Sequence, residues 1–169
     1  MVVESVVDRI LETESRQAIV RRATAADAGQ IASLVNFFAR QGEMLPRSKH
    51  QIYQHIASFV VAEVDGELAG CGVLQVLWED LAEIRSLAVL PRFQREGLGS
   101  RLVARLLDEA QFLGLRRVFA LTYVADFFQH LGFHHIDRDT LPQKIWLDCI
   151  NCPKFPDCDE EAMLLELGD

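Results

Sequence analysis

The residues most suited to chemistry are Gln94-Arg95-Glu96-Gly97-Leu98-Gly99, followed by Ser100. Two glycines let a backbone turn tightly and approach a ligand without Cβ clashes. Behind them Leu98, Leu102, Val103, Leu106, Leu107, Ala110 and Leu113 recur at helical spacing as far as Gly114, so the turn opens a helix. A helix start offers unpaired N–H groups and a positive dipole end to an anion. Arg92, Arg95, Arg101 and Arg105 gather there, and the whole predicts a site for a phosphorylated ligand. The Gly-Lys-Ser/Thr ending of a P-loop and the G-x-G-x-x-G of a dinucleotide fold are both missing. A second group is Cys149-x-x-Cys152 with Cys158 close behind. Three neighbouring cysteines suit a structural zinc, but tetrahedral closure needs a fourth ligand. Cys71, His134, His135, Asp157 and Asp159 are all available for it, and no spacing selects one. Zinc, free or redox-active thiols and a disulfide therefore stay open, the last disfavoured in a cytosolic chain.

These groups must be positioned by the elements around them. AIVRRA (18–23) reads as a strand, and Thr24 with Asp27 as a capping box before a helix whose face is Ile31, Leu34, Val35 and Phe38. Ser48 caps a second helix carrying Ile52, Tyr53 and Ile56. FVVAEV, Asp65-Gly66 and ELAGCGVLQVL form the strongest hairpin signal. A strand over Leu81–Leu90 stops at Pro91, RRVFALT (116–122) is the next, ADFFQHLGF (125–133) is a short helix running into one more, and AMLLEL (162–167) is the last. The order β, α, α, β, β, β, α, β, α, β, β predicts a mixed α/β sheet covered by helices. Residues 1–17 read as a separate amphipathic helix, docked on its own domain or making a homodimer contact, before one domain over 18–169 with a cysteine-containing insertion at about 138–160. Trp78 and Trp146 read as packing residues, and His50, His55 and His130 as exposed helix residues.

Over the core the pattern is similar to the GNAT superfamily of acyl-CoA-dependent N-acyltransferases. Gln94-x-x-Gly97-x-Gly99 matches its Q/R-x-x-G-x-G/A signature, and EIRSLAVLPRFQ and FFQHLGF match further segments. The resemblance implies a GNAT fold in which backbone amides from Gln94 to Ser100, through Arg95, Glu96, Gly97, Leu98 and Gly99, hold the pyrophosphate of acetyl-CoA. Leu87 and Val89 would pair their main chain with the pantetheine arm, which brings the thioester near Glu83 as the base, acting directly or through one water. Many such enzymes carry a tyrosine acid where this chain has Phe128, so Phe128 would pack on the coenzyme instead. That leaves Thr122, with Tyr123 as the other candidate, to stabilise the departing thiolate, or leaves the thiolate to take its proton from water or the amine.

RRATAADAGQIASLV, RQGEMLPRS, EIRSLAVLP, VFALT, FFQHLGF and DRDTLPQK together resemble the acetyltransferase domain of bacterial N-acetylglutamate synthases, in a short, stand-alone form. The implied acceptor is L-glutamate, and the implied place is the first step of arginine biosynthesis. Arg47 would clamp a substrate carboxylate through its planar fork, with Arg85, Ser86 and Lys144 as further substrate-binding candidates. The same resemblance makes 141–158 a lid or specificity wall beside the acceptor. Another small amine, a protein N-terminus, or a non-enzymatic CoA-binding or metal-sensing role are the competing readings.

Composition bounds all of this. The chain has 169 residues, 50% of them hydrophobic, and 17 Lys+Arg against 25 Asp+Glu give a formal charge of -8. One domain with an ordinary core is the expectation. So acidic a chain is a poor candidate for sequence-independent nucleic-acid binding. No apolar run suits a membrane span, the N-terminus lacks the apolar region of a signal peptide, and a cytoplasmic protein is expected. The charge is uneven, however: 157–169 holds six acids and no base, whereas 92–105 holds four arginines and one glutamate.

Overall fold

The computed structural model describes residues 17–141 and 149–168. The N-terminal helix expectation, Lys144 and Trp146 lie outside these described residues. β1 (Ala18–Arg22) is followed by a 3-10 turn at Ala25–Asp27 and by α1 (Ala28–Ala39). The Thr24 N–H donates to Asp27 Oδ2 at 2.7 Å, as the capping box requires. Ser48 caps α2 (Lys49–Gln54): its Oγ accepts from the Gln51 N–H at 3.1 Å while Gln51 Oε1 accepts from the Ser48 N–H at 2.8 Å. Ile56 falls in the 3-10 turn beyond that helix.

Asp65 and Gly66 both take positive φ, 51° and 81°, the twist that joins β2 (Phe59–Val64) to β3 (Glu67–Trp78). β4 (Leu81–Val89), α3 (Leu98–Phe112), β5 (Arg117–Thr122), α4 (Ala125–His130), β6 (His134–Ile136) and β7 (Glu161–Glu166) complete the order expected from periodicity. The sheet runs β1-β2-β3-β4-β5-β7-β6, so β7 enters between two strands made before it. Every neighbouring pair is antiparallel except β4 and β5. Alternate side chains of the central strands point to opposite layers. Val60, Ala62, Leu74, Ala82, Ile84, Val118 and Ala120 pack with the apolar stripe of α3. Phe59, Val61, Cys71, Val73 and Ala88 pack with α1 and Ile52 of α2. Two apolar residues depart from expectation. Leu113 lies past the end of α3 and is half exposed, and Trp78, at the tip of β3, is 58% exposed rather than a packing residue.

The first turn of the fold is fixed electrostatically. The Arg21 guanidinium grips Asp27 in a bidentate pair at 2.8 and 2.9 Å and also donates to Glu63 at 2.7 Å. Arg21 and the Thr24 N–H hold the buried Asp27 carboxyl down at about 2, below the usual 3.8. A depressed carboxylate stabilises the fold above its unfolded pKa and loses that contribution as pH falls through the folded one. Asp27→Asn is therefore expected to cost about 1–2 kcal/mol at neutral pH, discounting for the part-exposed arginine. Urea unfolding of both proteins should show that gap at pH 7 and show it narrowing between pH 4 and 2.

Candidate active site

β4 pairs with β5 only from Leu81–Arg117 to Glu83–Phe119. Beyond Glu83 the two strands part, and no described strand takes the β5 side of β4. The gap widens into a cleft of about 1490 Å³ whose wall includes Glu83, Leu87, Val89, Gln94, Thr122 and Phe128. Within it β4 is bulged. The register steps from Cys71–Ala88 to Val73–Arg85, so Ser86 and Leu87 stand against Gly72, and Ser86 takes φ 50°. A Cβ on Gly72 would lie 3.1 Å from methyls of both Leu87 and Leu106, so a side chain at the bulge would push both aside by a few tenths of an ångström. Bulges re-aim side chains, and this one turns the residues past Arg85 along the cleft.

Glu83 is 4% exposed. Its Oε2 accepts from Arg85 Nε at 2.6 Å, and Arg85 Nη1 donates to Gln75 Oε1 at 3.0 Å. These side chains share one face because Glu83 and Arg85 are two apart on β4 and Gln75 pairs with Glu83 across β3. Arg85, expected as a substrate-binding cation, here bonds to Glu83 and Gln75. Opposite, at the end of β5, Thr122 is 7% exposed and its Oγ1 accepts from the Val124 N–H at 2.9 Å. A hydroxyl that accepts one bond still has its own proton to donate. Phe128 is buried edge-on against Phe127 and Phe133, both centroids 5.1 Å away, with the cleft on its other side.

Tyr123, next along, is 40% exposed and already engaged. Its hydroxyl donates to Asp159 Oδ1 at 2.7 Å and accepts from Lys154 Nζ at 2.5 Å. The Lys154 ammonium favours the phenolate, but the bond to Asp159, burial and Glu160 outweigh it and hold Tyr123 above the ordinary phenol range.

At the turn after β4, Gln94 Nε2 donates to the Val89 carbonyl at 3.0 Å and ties the turn to the strand. Arg95 and Gly97 both take positive φ, 66° and 81°, and the Gly97 carbonyl accepts from the Arg101 N–H as α3 begins. Gln94, Arg95, Glu96 and Gly97 are exposed, Gly99 and Ser100 half-buried, and Leu98 sits in the core. Gly99 also packs closely against a neighbouring helix. A Cβ there would meet the Phe127 ring at 3.2 Å. The arginine cluster is also partly committed within the fold, since Arg92 pairs with Glu67 and Arg101 Nη2 donates to the Ala18 carbonyl at 3.0 Å.

Arg47 is half-buried on the cleft wall. Its position is set through its backbone: Asn36 accepts from the Arg47 N–H at 3.0 Å and donates to its carbonyl at 2.8 Å. Cys149, Cys152 and Cys158 also line the cleft, but no metal-ligating set forms among the described residues. The 3-10 turn at Cys149–Asn151 carries Cys152 next to it, Cys158 Sγ lies 3.9 Å from Glu160, and Asp159 is taken by Tyr123. Buried Cys71 has its thiol pushed up to about 12 by desolvation and its Sγ directed at the Ser86 carbonyl, so it is chemically inert.

One cleft residue escaped the reading of single positions. Arg138 Nη2 donates to the carbonyls of Cys158 and Glu160, at 2.7 and 3.3 Å. The only signal was its place in DRDTLPQK, since these partners lie far along the chain.

A model of the acetyltransferase (GNAT) family matches residues 26–133. An uncharacterized N-acetyltransferase of Chlorobaculum tepidum is 43% identical over 148 residues, covering 88% of this chain and 96% of its own. An amino-acid acetyltransferase of Mycobacterium tuberculosis is 41% identical over 131 residues, covering 76% of this chain and 75% of its own. N-acetylglutamate synthase from Neisseria gonorrhoeae, solved with coenzyme A and N-acetyl-glutamate, matches with a TM-score of 0.79 at 29% identity, over 92% of this chain and 36% of that one. The amino-acid acetyltransferase of Neisseria meningitidis is 39% identical, and the match spans only 29% of its length.

Proposed function

Because the chain belongs to the acetyltransferase (GNAT) family, we propose that it moves the acetyl group of acetyl-CoA to the amino group of L-glutamate, by direct attack in a ternary complex. The observation that carries this reading is the parting of β4 from β5. It places an open strand edge, the Glu83 carboxylate and the Thr122 hydroxyl around one cleft that reaches from the Gln94 turn to Arg47. Backbone amides of Gln94–Ser100 hold the pyrophosphate, and the β4 edge at Leu87 and Val89 guides the pantetheine arm. Glu83, oriented by Arg85, removes the ammonium proton directly or through one water so that the amine can attack the thioester carbonyl. Thr122 donates to the departing sulfur. Arg47 meets a substrate carboxylate, and its fork suits bidentate contact.

Glutamate as acceptor is supported by relatives named amino-acid acetyltransferases and by the N-acetyl-glutamate complex of one structural neighbour. With that acceptor the enzyme opens arginine biosynthesis. A second reading, an acceptor bearing several amines, is favoured by one observation: Asp137, Asp139, Asp159 and Glu160 share the cleft wall. A CoA-release assay over the twenty amino acids and a few polyamines separates the two. Glutamate-selective turnover is the expected result. Preferential turnover of polyamines would replace the first reading with the second.

A further inference from the structure

Resting on that reading of the cleft, we propose that Tyr123 is a positioning residue rather than the acid for the thiolate. It latches the segment 152–160 to the end of β5, and this latch sets the acceptor side of the cleft. Both halves of the hydroxyl's hydrogen-bonding capacity are spent across the cleft: it donates to Asp159 and accepts from Lys154. Lys154 Nζ also lies 4.6 Å from the Tyr123 ring centroid and 3.7 Å from Glu160 Oε1. On the far side Arg138 holds the carbonyls of Cys158 and Glu160. The segment is therefore fastened at two points, one on β5 and one on the 3-10 turn at Arg138–Thr140, just before it feeds into β7.

The chemistry of the two neighbours at the end of β5 divides accordingly. Thr122, buried at 7% exposure, keeps a proton to offer into the cleft, whereas the Tyr123 proton points at a carboxylate on the segment. A side chain that gives its proton to Asp159 cannot donate it to sulfur without breaking the latch. The segment contributes Cys152, Pro153, Phe155 and Asp159 to the cleft wall, so its position determines the shape an acceptor meets. The cofactor side is built from β4 and the Gln94 turn, whereas the latch joins the end of β5 to the segment 152–160.

Tyr123→Phe removes only the hydroxyl, keeps the ring over which Lys154 sits, and alters a residue exposed enough to spare the core. Steady-state kinetics should show KM for glutamate raised about tenfold, as loss of hydrogen bonds to charged groups implies. KM for acetyl-CoA and kcat should stay within about threefold, because uniform binding is what is lost. A second readout needs no turnover: peptide-resolved iodoacetamide labelling of Cys152 and Cys158, with buried Cys71 as internal baseline. Labelling in Tyr123→Phe and in Arg138→Gln should run at least about fivefold faster than in the unaltered protein, reporting local opening. A kcat drop of tenfold or more with glutamate KM unchanged would overturn the latch and restore Tyr123 as the acid. Unchanged labelling in both variants would overturn it too. Should glutamate prove not to be the acceptor, the labelling still decides the latch, so the two readings fail separately.

Discussion

Glu83→Gln is expected to lower kcat about 10²- to 10⁴-fold, the range that removal of a general base commonly costs. The substitution keeps shape and one acceptor oxygen, so Arg85 retains a partner, and what disappears is the capacity to take a proton. KM for acetyl-CoA should hardly move, since the Gln94 turn and the open β4 edge lie away from the carboxylate. Far-UV circular dichroism and the urea midpoint check that the fold survives. Burial of an ion-paired side chain makes that control necessary: Glu83 is 4% exposed, and Arg85 would keep a buried charge opposite a neutral amide. A kcat within a few fold of the parent would remove Glu83 from the chemistry and leave it as the anchor of Arg85 alone.

Arg47→Ala should act on the other substrate. Loss of a charge-assisted bond to a carboxylate costs about 1.5–3 kcal/mol, or roughly 10- to 150-fold in KM for glutamate. The backbone N–H and carbonyl of residue 47 keep their bonds to Asn36 in the variant, and the urea midpoint checks that the scaffold is intact. The comparison to make is KM for glutamate against KM for acetyl-CoA in the same preparation. Equal rises in both would mean that Arg47 supports the cleft as a whole, and the assignment of the carboxylate would have to pass to another cation.

The elements of the fold were legible because each rests on a local rule. Capping residues Thr24, Asp27 and Ser48, the Asp65-Gly66 turn and the stripe on α3 all signal through residues a few positions apart. The turn at Gln94–Gly99 was legible for the same reason, and its signature carried the family. What stayed hidden depends on pairing across the sheet. Arg85 could be seen as a cation near the site, but its commitment to Glu83 and Gln75 follows from strand parity and register. The bulge at Ser86–Leu87 had a faint trace in Gly72, a glycine inside a strand. Tyr123, Asp159 and Arg138 come together only through tertiary structure, and no local pattern announces them. Gly99 was legible as a signature residue, whereas its packing partner, Phe127, lies on another helix and left no local trace.

The insertion of β7 between β5 and β6 also orders events in time. On a growing chain, β2, β3 and β4 follow one another through short turns and can pair as they appear, at little cost in loop closure, while β1 joins β2 across α1 and α2. β5 then finds a three-residue parallel contact with β4, and among the described strands β6 pairs with β7 alone. The register that brings Thr122 opposite Glu161 closes a long loop, and that entropy must be met before any contact rewards it. Until then the apolar run Val118, Phe119, Ala120, Leu121 has an unpaired edge, the feature most open to intermolecular strand addition. The cleft wall built from β4 and the Gln94 turn can therefore mature early, while the wall built from 152–160 belongs to the last step of folding.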